Sequence, residues 1–167
     1  MAYYVQNSQA FIGNEHQAFP NTMTPKATID HVTEALTALG LAVDRIPVAN
    51  QAKHARHPAA DLRITRGTTK LHYAVDEKPR LTPAMLGAAT AQARALPLRA
   101  GQQPLLVADY ITPPMAETLR ALNQQFVDAA GNAYLEGPGL LVYVTGRKPA
   151  DWNAYPKGGE AFTRNGL

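Results

Sequence analysis

Two aspartates and a lysine are the residues of this chain whose spacing could do chemistry. Alternating segments at Asp61 to Arg66 and Lys70 to Lys78 flank Gly67-Thr68-Thr69, which reads as a β-hairpin. Asp61 and Asp76 are equidistant from the midpoint of Thr68 and Thr69. A turn centred there sets them directly across from each other, with Cβ atoms about 5 Å apart. Lys78 lies two residues beyond Asp76, and strand alternation turns it to the same face. Carboxylates that close repel unless a cation offsets them, and Mg2+ or Mn2+ held by one or two carboxylates plus water is the usual solution. A lysine beside such an ion can orient or help deprotonate metal-bound water and stabilise charge growing on a phosphate under attack. Phosphodiester hydrolysis is the chemistry this combination suits. The spacing also allows a structural arrangement in which Lys78 and Arg63 neutralise Asp61 and Asp76 on a wet sheet face.

Charge points the same way. Sixteen Lys and Arg against thirteen Asp and Glu give a net charge of +3 over 167 residues. Between Gln51 and Arg80 the cations Lys53, Arg56, Arg63, Arg66, Lys70, Lys78 and Arg80, with His54, His57 and His72, face only Asp61, Asp76 and Glu77. Such a stretch is either a solvated face or a polyanion-binding surface. On the second reading Lys53, Arg56, Arg63, Arg66, Lys70 and Arg80 are candidate nucleic-acid contacts. Arg147 and Lys148 join them, near a turn formed by Asp128, Gly131 and Asn132. Gly and Asn readily take positive φ, so this group reads as a turn capped by Asp128, or as a turn whose amides face a phosphate. His54 and His57 have metal-ligand spacing but no third soft ligand nearby.

Other chemistries fall away. The chain has no Cys, which removes thiol nucleophiles, Cys-ligated zinc and disulfides. Ser8 is its only serine and sits in an unpatterned polar stretch, against a serine hydrolase. Phosphate-loop, dinucleotide and zinc-protease motifs are missing. With 46% apolar residues, and neither a signal-like start nor an 18-residue apolar run, the chain reads as a cytoplasmic globular domain with no membrane partner.

The elements that must position these residues follow from pattern. Thr24 as N-cap, Pro25 at the first position, the stripe Ile29, Val32, Leu36, Leu39 and the stop Gly40 predict a helix. Its Glu34 lies opposite the stripe, so it offers no inward acid. A strand at Leu41 to Ile46 and the hairpin follow, with Glu77 on the hairpin's apolar side. Thr82 as cap and Pro83 at the first position predict an Ala-rich helix to about Leu96, Leu105 to Tyr110 reads as a strand buried on both faces, and Thr112 and Pro113 open a third helix through Leu122. Strands at Gln125 to Ala129 and Leu140 to Thr145, with a short one at Ala133 to Leu135, close a mixed sheet flanked by helices. Residues 1–23 read as an arm, 24–148 as one α/β domain, and 149–167 as a tail or linker in which Trp152 and Phe162 are isolated anchors.

Asp61, then Asp76-Glu77-Lys78 at a strand end followed by a helix and a buried strand, resembles the PD-(D/E)xK restriction-endonuclease-like superfamily, whose core runs helix, three strands, helix, strand. The segment Pro104 to Glu136, with its Asp128 to Ala133 phrase D-x-x-G-N-A, and Val142 to Lys148 resemble the AbiEi-type antitoxins of type IV toxin-antitoxin systems and related transcriptional regulators. The resemblance implies a restriction-endonuclease-like fold, Asp61 and Asp76 as metal positions, and Asp61, Asp76 and Lys78 as the catalytic set. It implies DNA as partner, with a cognate toxin as a protein partner. Antitoxin-like members are regulators rather than nucleases, so the expectation is a DNA-associated domain with a vestigial or weak metal site; the alternative is an active Mg2+-dependent nuclease.

Overall fold

Short apolar alternations separated by glycine-containing turns build one sheet, which a computed structural model describes over residues 25–48 and 57–150. The elements are α1 (Pro25–Ala38), β1 (Ala42–Ile46), β2 (Ala60–Arg66), β3 (Thr69–Glu77), a 3-10 turn (Pro83–Met85) leading into α2 (Leu86–Arg94), β4 (Gln102–Ala108), α3 (Pro113–Ala121), β5 (Phe126–Asp128), β6 (Ala133–Gly137) and β7 (Leu140–Val144). The strands lie side by side in chain order. β1, β2 and β3 form an antiparallel meander. β3, β4 and β5 are parallel, joined by α2 and α3, and β6 and β7 return antiparallel. The class is therefore a mixed α/β sheet with helices on both faces.

Local chemistry explains the ends. α1 stops where Gly40 takes φ +78, with Gly40 N–H donating to Thr37 and Leu41 N–H to the Leu36 carbonyl. This is the paired hydrogen bonding of a Schellman motif, in which glycine carries the left-handed residue without strain. Thr82 and Thr112 precede their helices in extended conformation but make no side-chain cap, contrary to the expectation for Thr82. Pro83, and Pro113 with Pro114, lack N–H groups in the first turn, so fewer donors there need a partner. The strand expected from Leu105 begins three residues earlier, because Gln102 and Gln103 pair in register with His72 and Tyr73. The Gln103 side chain accepts from Gln125, so polar residues continue the strand where hydrophobicity does not mark it.

The two faces carry separate cores. Ile29, Val32 and Leu36 of α1 pack on Leu62, Ile64, Leu71, Tyr73, Val75, Leu105 and Val107, while Glu34 is exposed, as the stripe requires. On the opposite face Leu86 and Ala89 of α2 and Met115, Ala116 and Leu119 of α3 pack on Leu106, Ala108, Phe126 and Tyr134. The sheet curls around α1: a Cβ on Gly137 would strike Leu71, and Gly139 lies against Thr69, so the β6–β7 turn closes on the start of β3. Among the described residues no helix is long and apolar enough to cross a membrane.

Candidate functional site

Alternation sends Asp61, Asp76 and Lys78 to the face that α2 covers, so the three expected residues do share a face. Their register differs from the expectation. The β2–β3 turn is two residues, Gly67 and Thr68, because Arg66 pairs with Thr69. Gly67, at φ +58, occupies its first position, as in a type II′ turn. Asp61 therefore stands opposite Ala74, and Asp76 is its diagonal neighbour two residues on. Diagonal neighbours lie roughly 7 Å apart, still within reach of a shared ligand but with less mutual repulsion than a directly facing pair.

The expected wet sheet face is also corrected. Asp61 is 1% exposed and Asp76 7% exposed. The neutralising partners differ too. Arg63 donates from Nε (3.1 Å) and Nη2 (2.9 Å) to Asp44 on β1, its register partner. Lys78 Nζ donates to Asp76 at 2.9 Å. Asp61 is approached by Arg99, from the loop before β4, whose Nη2 lies 3.0 Å from Oδ2. This is an ion pair without hydrogen-bond geometry: neither oxygen of Asp61 accepts a hydrogen bond. A carboxylate removed from water and left without donors is energetically costly, and native interiors hold few such groups.

These donors fit a hard divalent cation. Asp61, with its orphaned oxygens, and Asp76 would hold Mg2+ or Mn2+, with water completing the shell, since among the described residues no three His, Asp or Glu converge as ligands. Such an ion would supply the charge that lowers the pKa of a bound water. Lys78, already held beside Asp76, is placed to stabilise negative charge developing there.

Glu77 points to the α1 face, as alternation predicts, and finds polar company there. Burial pushes its carboxyl up to about 7, against a hydrogen bond from Thr28, with Asp109 raising it further and Arg45 lowering it. The one proton of the Thr28 hydroxyl serves Glu77 or Asp109 in turn; here Oγ1 donates to Asp109 Oδ1 at 2.8 Å. Burial likewise raises the Asp109 carboxyl, against the same threonine bond and the charges of Arg80 and His31.

The Asp128 group is a closed structural knot. Asp128 Oδ2 accepts from the Ile111 amide (2.7 Å) and from Asn132 Nδ2 (2.7 Å), and Oδ1 accepts from the Asn132 amide (2.8 Å). Asn132 in turn exchanges hydrogen bonds with the Arg147 backbone, 2.9 and 2.8 Å. Gly131 N–H donates to the Asp128 carbonyl. The amides that could have faced a phosphate are thus taken. Gly131 has φ +90, a left-handed conformation that glycine adopts without strain and a side chain would make costly. Burial pushes the Asp128 carboxyl up to about 6 despite these donors.

The basic candidates separate into two groups. Lys78 and Arg80 follow the carboxyl end of β3, and Arg147 and Lys148 lie at that same end of the sheet, tied to Asn132 beside the end of β5. Arg66 and Lys70 are exposed at the β2–β3 turn, roughly 25 Å away for eight residues of strand. Lys53, Arg56, His54, the Thr24 cap, Trp152 and Phe162 lie outside the described residues.

Arg99 and the Thr28–Glu77–Asp109 group were not anticipated from sequence. Arg99 sits in an unpatterned loop, and only its reach across β3 to β2 connects it with Asp61. Compared with protein-family models, curated proteins and solved structures, the chain matches none.

Proposed function

We propose that the chain is a DNA-associated regulatory domain of an antitoxin-like protein, with a restriction-endonuclease-like core and a metal site too weak for efficient turnover. The observation that carries this reading is the convergence of buried Asp61 and Asp76 with Lys78 on one sheet face, Lys78 lying 2.9 Å from Asp76. The order α1, β1 to β3, α2, β4, with β3 and β4 parallel, supports the same core. Arg80, Arg147 and Lys148 at the same end of the sheet supply cations for phosphate contacts. Regulation rather than catalysis is supported by Arg99, which stands where a cation would have to approach Asp61. A cognate toxin is the protein partner such a domain would serve.

DNA binding measured by anisotropy across a salt series tests this. Three or four neutralised phosphates give a slope of about −3 in log affinity against log salt. A flat response would contradict the reading. The Lys78–Asp76 pair favours the alternative, an active Mg2+-dependent nuclease. Efficient cleavage of a DNA and RNA panel, lost in Lys78→Ala, would establish that instead.

A further inference from the structure

We infer that Arg99 is a gate on the cation site: its guanidinium holds the place of a divalent ion on Asp61, and a phosphodiester that draws it away opens that place. The phosphodiester rests on the function proposed above; the competition at Asp61 rests on the ion pair alone.

Three features of the pair point to exchange rather than permanent structure. Burial is lopsided, because the Asp61 side chain is 2% exposed while that of Arg99 is 48% exposed. The cation can therefore leave through solvent without unpacking the core, and the carboxylate cannot follow it. The geometry is poor: the surface pair Arg63–Asp44 makes two hydrogen bonds, whereas Arg99 makes none to Asp61. A buried pair that is not hydrogen-bonded recovers little of its desolvation cost. The backbone beneath is anchored, with Arg99 N–H donating to Gln102 Oε1 at 2.8 Å and Gln102 N–H to the Arg99 carbonyl at 3.0 Å. The side chain can turn without the loop moving. A planar guanidinium matches phosphate oxygens bidentately, so a phosphodiester is a better partner for it than the contact it has. Lys78 stays with Asp76 throughout, leaving Asp61 as the carboxylate whose partner changes.

The test is Mn2+ titration of the full chain, read as a shift in thermal midpoint, for the wild type, Arg99→Gln and the double variant Arg99→Gln/Asp61→Asn. Arg99→Gln keeps much of the side chain's bulk and removes the charge, and circular dichroism verifies that each variant folds. The expected result is a Mn2+ affinity about tenfold tighter in Arg99→Gln than in the wild type, with the gain gone in the double variant. A DNA duplex added to the wild type should reproduce part of that gain. A folded Arg99→Gln with no tighter Mn2+ binding overturns the gate, and DNA binding in the same protein would leave the proposed function standing. A gain in Arg99→Gln without DNA binding by any of the three proteins overturns the phosphodiester trigger and the function together, while the competition at Asp61 stands.

Discussion

Asp61 and Asp128 are both buried carboxylates on one sheet, and they are held in opposite ways. Asp128 takes three hydrogen bonds, from the Ile111 amide and from the amide and side chain of Asn132, and fastens the β4–α3 loop to the β5–β6 turn. Asp61 takes none and is left to an arginine half in solvent. The first group is explained by the fold it closes. The second costs stability in the fold that contains it, and residues that do so are where function is to be sought.

The largest effect that would break this comparison is at Asp128. Asp128→Ala strands the Ile111 amide and both Asn132 donors in the interior, and urea denaturation should show a loss of about 4 kcal/mol. A loss under about 1 kcal/mol would mean that the knot is not what holds this end of the sheet.

Arg99→Ala comes next. Without metal at pH 7 it should destabilise by about 2 kcal/mol, less than for a fully buried pair because Arg99 reaches solvent, by leaving Asp61 uncompensated. Adding Asp61→Asn should return most of that loss, a coupling that a double-mutant cycle in urea measures directly.

The pH dependence sharpens the contrast from another side. Asp128 and Glu77 both titrate higher in the folded protein, to about 6 and about 7. The folded state then binds protons more tightly than the unfolded one, so stability should fall as pH rises from about 4 to about 7 and level off above. Glu77→Gln should abolish the fall between about pH 6 and 7 and make it shallower between about pH 4.5 and 6, where Asp128 still contributes. Denaturation midpoints across that range decide it, and an unchanged profile would exclude Glu77 as the upper group.

The smallest effects on stability are at the two basic groups. Arg147→Ala and Lys70→Ala should each change stability by less than about 0.5 kcal/mol. They should differ in DNA binding: Arg147→Ala lowers the salt slope by about 1, and Lys70→Ala, at the far end of the sheet, leaves it unchanged. Equal changes would place DNA along the whole strand face.

Much of this layout is legible in the sequence. The stripe of α1 with its Gly40 stop, the β2–β3 hairpin, and a third helix opened by Pro113 all stand where the residue pattern puts them. So does the face shared by Asp61, Asp76 and Lys78. The two-residue shift in register is only partly legible: Gly67 suits the first position of a two-residue type II′ turn, but Thr68 and Thr69 are alike as β-formers and do not mark where the second strand begins. The burial of Asp61 is not legible, since it follows from the place of β2 between β1 and β3 and from the reach of Arg99, contacts that form only in the folded sheet. Asp128, Gly131 and Asn132 announce a turn by type, but the knot with Ile111 and Arg147 forms only once β5, β6 and β7 are side by side.

The most direct test of the central claim, that Asp61 is kept at the expense of the fold rather than for it, is the metal-free stability of Asp61→Asn beside that of Asp128→Asn. Asparagine keeps the shape of each side chain and removes its charge. Urea denaturation at pH 7 should find Asp61→Asn no less stable than the wild type, because no hydrogen bond is lost and Arg99 returns to solvent, while Asp128→Asn falls by about 2 kcal/mol as one acceptor becomes a donor facing donors. A comparable fall in both variants would contradict the account and make Asp61 a structural residue like Asp128.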